Sequence, residues 1–283
     1  MAGILSGLSN LGLGKLEGMD VFAKGEKQEE KQEEVKKPVA LTVNEKELIY
    51  DKNLQCPVCD NKFTTKIVKT GKAKIMGTDF DLRPRYEGID PVKYDVWLCP
   101  NCGYAALGRY FTSVGSGQAK LIRENISRNV QLHRYDGDIY TYGEAVERYK
   151  LCLANAVVKK AKTSEKAYIC LKSAWLLRGY QEELMSDAEQ KEAELKELKQ
   201  EEESYLQNAL EGFAEARSTE ASPICGMDEH TVDYLLAQLY FHFKKYDMSA
   251  RLVSELLTSR TTSNHIKDKA RDLKEKIIAA AKK

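Results

Sequence analysis

Downstream of residue 103 the apolar positions recur every three or four residues, and no proline interrupts them between Gly103 and Ser222. That period predicts amphipathic helices over 118–133, 142–160, 164–179, 182–216, 229–244, 248–258 and 266–282. Short loops between them predict an antiparallel helical solenoid or bundle. Upstream the pattern is different. Five of the six prolines lie between Pro38 and Pro100. β-Type runs at 63–69, 73–76 and 94–98 alternate with turn residues, which predicts a small β-rich module. The chain therefore divides into a tail and charged linker over 1–37, a β module over 38–115 and a helical domain over 116–283. The expected class is α+β, mostly α.

Within the helical half, Leu236, Ala237, Tyr240, Lys244 and Tyr246 match the first-half spacing of a tetratricopeptide repeat, and Ala250 follows near its second small position. Leu171, Lys172, Trp175 and Gly179 repeat that spacing. Ala209, Phe213 and Ala216 fit the second half, as do Ala145, Tyr149 and Cys152. Small residues would let helices approach while aromatics fill the gaps between hairpins. The middle repeat carries an insertion of about 24 residues. Leu184, Ala188, Lys191, Leu195, Leu198, Glu202, Tyr205 and Ala209 form a heptad-like stripe there. Residues 181–203 hold ten acidic and three basic side chains. A long, partly projecting acidic helix is expected, either solvated or used for a partner or for dimerisation.

The start of the chain places Ile4, Leu5, Leu8, Leu11, Leu16 and Met19 on one helical face, among many glycines. Two readings stand: a tail that stays unfolded, or a docking peptide that folds against a partner or its own domain. Residues 24–37 hold five lysines and five glutamates and read as a solvated linker.

The strongest chemical signal is Cys56-Pro-Val-Cys59 with Cys99-Pro-Asn-Cys102-Gly103. Two residues between ligands let one tight turn present both sulfurs to one ion, and Gly103 suits a positive φ. Four thiolates suit tetrahedral Zn²⁺ and leave no open position, so the expected site is structural and not hydrolytic. Iron is the alternative, in a rubredoxin-like centre shielded by Phe63, Trp97 and Tyr104. Lys62, Lys66 and Lys93 are candidates to offset the site's formal −2 charge. The 39 residues between the pairs exceed the 15–20 of common ribbons, which predicts an inserted hairpin and loop. Cys152 and Cys170 fall on apolar helical faces and read as core. Cys225 and His230 flank a turn and lack further ligands.

Charge and composition narrow the function. Lys plus Arg number 44 and Asp plus Glu 43, which argues against a wholly basic nucleic-acid binder. A local patch remains, because residues 61–76 carry five lysines and no acid. That basic hairpin either grips phosphates or is a solvated edge protected from aggregation. Arg83 and Arg85 lie in a polar loop and either clamp an anion or pair with Asp79, Asp81 or Glu87. No apolar run is long enough to span a membrane, and the apolar start lacks a basic flank for secretion. The expected compartment is the reducing cytosol. No nucleophile elbow, phosphate-binding loop or metalloprotease motif is present, and the four histidines are scattered singly, so no positive evidence for an enzyme emerges.

The stretch 50–107 resembles an uncharacterised bacterial family, domain of unknown function 2225. The resembling features are Cys56-Pro-Val-Cys59 with Phe63, then Tyr86-x-Gly88-Ile89-x-Pro91-x-x-Tyr94-Asp95-Val96-Trp97, then Cys99-Pro-Asn-Cys102-Gly103-Tyr104-Ala105. The resemblance extends over most of 40–260 and implies a bacterial, cytoplasmic protein with no assigned activity. Residues and resemblance together give a zinc-ribbon-like module followed by a tetratricopeptide-like domain. The expected function is non-enzymatic, with zinc held by Cys56, Cys59, Cys99 and Cys102 and a protein or peptide partner on the helices. The rivals are a nucleic-acid-associated regulator and an iron electron carrier.

Overall fold

The computed structural model describes residues 10, 12–14, 44–133, 135–185 and 191–281. They form two compact units. The first takes the chain up to Gly77 together with Pro84–Lys159; the second takes Thr78–Arg83 and the chain from Lys160 onward.

The first unit holds three two-stranded sheets. Strands β1 (Ile49–Gln55) and β2 (Lys62–Val68) pair antiparallel from Ile49↔Val68 to Gln55↔Lys62. Strands β3 (Ile75–Thr78) and β4 (Pro84–Tyr86) form the hairpin that the long spacing between cysteine pairs demands. Strands β5 (Val96–Leu98) and β6 (Ala105–Leu107) pair from Val96↔Leu107 to Leu98↔Ala105. Helix α1 (Ser116–Ile122) runs into a π-helical turn at Arg123–Ser127, and α2 (Tyr142–Val158) follows. The α2 start is fixed by a capping box: Glu144 N–H donates to Thr141 Oγ1 at 3.2 Å, and Thr141 N–H donates to Glu144 Oε2 at 2.6 Å.

Helices α1 and α2, which the sequence groups with the helical domain, are part of the first unit. The reason is packing. Tyr149 of α2 is buried and donates its hydroxyl to Val92 O at 3.2 Å. Asn155 of α2 is fully buried and donates to Gly103 O at 3.0 Å. The helix predicted over 118–133 stops being α-helical at Ile122. A second core patch joins Leu48, Ile49, Ile89, Tyr94 and Tyr140, with the last two rings stacked at 5.2 Å.

The second unit contains α3 (Thr163–Leu184), α4 (Glu192–Thr219), α5 (Glu229–His242), α6 (Tyr246–Thr258) and α7 (Asn264–Ala281). Ala167, Ala174, Ala209 and Ala216 are fully buried, which lets α3 and α4 pack closely around Tyr205 and Phe213. Tyr234, Ala237, Val253, Leu256, Ile266, Ala270, Leu273 and Ile277 form the core of α5, α6 and α7, with Leu82 packed against it. Ser249 of α6 donates to Ala237 O at 2.7 Å, a contact open only to small residues at both positions.

The acidic stretch 181–203 is not one projecting helix. Its first residues end α3 and its last ones belong to α4, whose inner face packs on α3. Leu184, Leu198, Glu202, Tyr205 and Ala209 of the predicted stripe are buried in this way, whereas Ala188 lies outside the described residues. Tyr240, chosen as a repeat aromatic, is only half-buried.

Arg83 and the loop acids meet in this unit. Arg178 of α3 donates through Nε to Glu202 at 2.7 Å, through Nη1 to Asp79 and Asp81 at 3.1 Å each, and through Nη2 to Asp81 at 2.8 Å. Arg83 pairs with Glu182 at 3.3 Å and lies 3.9 Å from Asp79. The loop is thus an internal ion-pair network, as the structural reading of Arg83 anticipates, with Arg178 and Glu202 as partners that the loop sequence does not reveal.

Candidate metal centre

Each cysteine pair occupies the turn of its own hairpin. Cys56–Asn61 joins β1 to β2, and Cys99–Tyr104 joins β5 to β6. The two turns share one hydrogen-bond pattern. Cys56 N–H donates to Asn61 O and Cys99 N–H to Tyr104 O, both at 2.9 Å. Asp60 N–H donates back to Cys56 O at 2.9 Å, and Gly103 N–H to Cys99 O at 3.1 Å. Both turns then need a left-handed residue after the second cysteine: Asp60 has φ 60° and Gly103 has φ 71°. Glycine takes that conformation without cost, and aspartate tolerates it better than most residues. Gly103 is required for space as well, because a Cβ there would sit 2.7 Å from Val130 Cγ1.

The two turns bring Cys56, Cys59, Cys99 and Cys102 together, with all four sulfurs within 4.8 Å of one another. The closest approaches cross between turns: Cys56 to Cys102 and Cys59 to Cys99, each 3.6 Å. A tetrahedral thiolate centre with metal–sulfur bonds of about 2.3 Å places its sulfurs about 3.8 Å apart. The donor set therefore fits a tetrahedral ion in number, chemistry and spacing. Cys56, Cys99 and Cys102 are buried, and Cys59 is partly open.

Four thiols this close cannot all ionise by themselves. Hydrogen bonds from Cys102 and then Cys56 push the Cys99 thiol down. Hydrogen bonds to Cys56 and Cys99, together with burial, push Cys102 well up. The Cys102 hydrogen bond lowers Cys56, but the one with Cys99 and burial outweigh it and raise the thiol. Cys99 is thereby favoured as a thiolate beside raised Cys56 and Cys102, and a bound cation would allow those two thiols to lose their protons.

Supporting contacts surround the sulfurs. Val58 N–H points at Cys56 Sγ at 3.4 Å, and Asn101 Nδ2 at Cys59 Sγ at 3.5 Å. Arg123, at the start of the π-helical turn, donates to Val58 O at 2.8 Å. Its guanidinium supplies positive charge beside the first turn. Lys66 and Lys93, expected in that role, are spent on carboxylates: Lys66 on Asp51 at 3.2 Å, and buried Lys93 on Glu45 at 2.7 Å. Phe63, Trp97 and Tyr104, expected to shield the ion, gather on the ring of Phe111, with centroids at 5.9, 5.8 and 4.9 Å.

The other candidates lie outside the cluster. Cys152 and Cys170 are buried core residues. Cys225 directs its thiol at Ser164 O at 3.2 Å. His230 bonds Ser259, His242 bonds Glu203, and His133 bonds Glu147. Among the described residues, the four cysteines are the one group placed to hold a metal ion. In the basic stretch, Lys66 pairs with Asp51, Lys69 donates to Glu47 O at 2.8 Å and Lys74 lies 3.8 Å from Glu87. No helix of the described residues is long and apolar enough to cross a membrane.

Comparison with known protein families matches residues 49–277 to an uncharacterized protein conserved in bacteria, domain of unknown function 2225. Comparison with curated proteins and with solved structures finds no match.

Proposed function

The chain belongs to that bacterial family, whose description carries no activity, and from its own residues we propose a non-enzymatic protein with a structural zinc site and a helical domain for recognising a protein or peptide. The observation that carries the zinc reading is the closed donor set: four sulfurs at tetrahedral spacing and, among the described residues, no fifth ligand gathered with them. Such an ion offers no open position for substrate. It would contribute folding free energy to a unit whose sheets have two strands each and depend on packing against elements such as α2 for stability. Cys56, Cys59, Cys99 and Cys102 would hold it, and Arg123, Asn101 and the Val58 amide would stabilise the charge of the thiolates.

Recognition of a protein or peptide rests on the helical hairpins, which present long faces for another chain. Cytoplasmic residence accords with reduced thiols at the site. The basic stretch 61–76 supports nucleic-acid binding less well, because three of its five lysines already have partners within the first unit.

Elemental analysis of the protein purified without added metal, together with its visible spectrum, is the deciding experiment. One colourless zinc per chain is expected. One iron per chain with thiolate charge-transfer bands would replace this reading with electron transfer, for which the Phe63, Trp97, Tyr104 and Phe111 cluster would be the shield. No metal, with four titratable thiols at the site, would refute the metal reading.

A further inference from the structure

We propose that residues 12–14 are an intramolecular strap that holds the second cysteine turn closed and slows release of its ion. This rests on the structural-metal reading.

Leu13 is 3% exposed although glycines flank it on both sides. An apolar side chain so buried in a glycine-rich stretch occupies a formed site. Gly12 shows that the fit is specific. Its φ is +75°, and a Cβ built on it would run into the carbonyl oxygen of Asn129 and come within 3.5 Å of Gln131 N. Only glycine meets both demands, so the strap lies directly on the backbone of 129–131.

That backbone reaches the metal turn in one further step. Val130, between the two residues that Gly12 touches, places Cγ1 2.7 Å and Cγ2 3.1 Å from the Cβ position of Gly103. Gly103 follows the ligand Cys102 and holds the left-handed conformation that closes the turn. Buried Ile126 anchors the segment on its other side, accepting the Val130 N–H at 2.9 Å. Gly12, the 129–131 backbone, the Val130 side chain and Gly103 thus follow one another onto a ligand-bearing turn. For the Cys99–Cys102 turn to open and present its sulfurs to a competitor, Val130 must move. With the strap docked, Val130 is held from both sides.

The test uses the full chain with its bound metal and an excess of the chromophoric chelator 4-(2-pyridylazo)resorcinol. Metal-transfer rates are compared for the native chain, Leu13→Asp, Gly12→Val and Leu13→Met, with amide exchange followed at 128–131. A docked leucine biases the closed state by about tenfold or more. Leu13→Asp and Gly12→Val should therefore each speed metal transfer by about tenfold or more and raise exchange at 128–131, while Leu13→Met stays near the native rate. Faster exchange with unchanged metal transfer would overturn the guarding role. Unchanged exchange and unchanged transfer would overturn docking itself. Protein that purifies without metal would refute the structural-metal reading, and the guarding role with it, while exchange at 128–131 still reports whether the strap docks.

Discussion

Replacing Arg178 with methionine tests whether the charges of the second unit depend on one another. The stem length is kept and the guanidinium is lost. Arg178 makes four hydrogen bonds of 2.7–3.1 Å to Asp79, Asp81 and Glu202. The Asp81 side chain is fully buried, with Glu202 at 10% and Asp79 at 16% exposed. Burial already pushes the Glu202 carboxyl up, against the downward pull of Arg178. Without Arg178, buried Asp81 loses its counter-charge and the Glu202 carboxyl loses the partner that pulls it down. Stranding one partner of a buried pair costs about 3–5 kcal/mol. In the variant the Glu202 carboxyl, already raised by burial, rises further and binds a proton more readily folded than unfolded, so the loss is larger near pH 7 than in acid. It shrinks toward pH 5, as solution approaches the unfolded carboxyl range. The assay is urea unfolding at both pH values. The chain has two tryptophans, Trp97 in the first unit and Trp175 in the second. A Trp97→Phe background therefore leaves Trp175 as reporter of the second unit, which matters because a two-unit chain need not unfold in one step. A loss below about 1 kcal/mol at pH 7, or one that does not change between pH 7 and pH 5, would refute the network as described.

Four further outcomes are expected. Cys99→Ser should lose the ion and the order of the β1–β6 region while the second unit keeps its helices, as read by metal analysis, Trp97 fluorescence and circular dichroism. Asn155→Leu should destabilise the first unit by about 1–3 kcal/mol in denaturant, because the buried Gly103 carbonyl loses its donor. Metal affinity should fall steeply on acidification in a competition titration. The raised Cys56 and Cys102 thiols each release a proton on binding, so each displaced proton lowers the affinity about tenfold per pH unit. Asp228→Ala should cost about 1 kcal/mol at pH 7 by uncapping α5, where the Thr231 N–H donates to Asp228 at 2.7 Å. Hydrogen bonding to Thr231 holds that carboxyl below its usual range. Its stabilisation is therefore present above the unfolded pKa and lost as pH falls through the folded one, so native and variant thermal midpoints should converge in acid.

The four-cysteine cluster was legible because its information is local. Two residues between cysteines set the turn, and Gly103 announces the positive φ. The equivalent demand at Asp60 was not visible, since an aspartate there has many other reasons to exist. The helices were legible from their period, and a break between α3 and α4 was expected, but at 180–181 and not beyond Leu184, because charged residues on both sides hide the end of one helix in the start of the next. Strand β1, Ile-Tyr-Asp-Lys-Asn-Leu-Gln, is mostly solvent-facing and carries no clear alternation. Strand β6 is three residues long. Arg123 and Arg178 carry no local signal at all, since each is defined by a partner 65 or 97 residues away.

The loop between β3 and β4 has a consequence for the birth of the protein. Its stem belongs to one unit and its tip, Thr78–Arg83, to the other, so the chain passes from one unit to the other three times. Asp81 leaves the ribosome 97 residues ahead of Arg178. At about 5–20 residues per second, that is a wait of roughly 5–20 s in which an aspartate destined for burial must stay in water. The tip can take its place only after α3 has been synthesised. A gene cut between α2 and α3 would encode every part of the first unit, but the second unit without its tip, Thr78–Arg83.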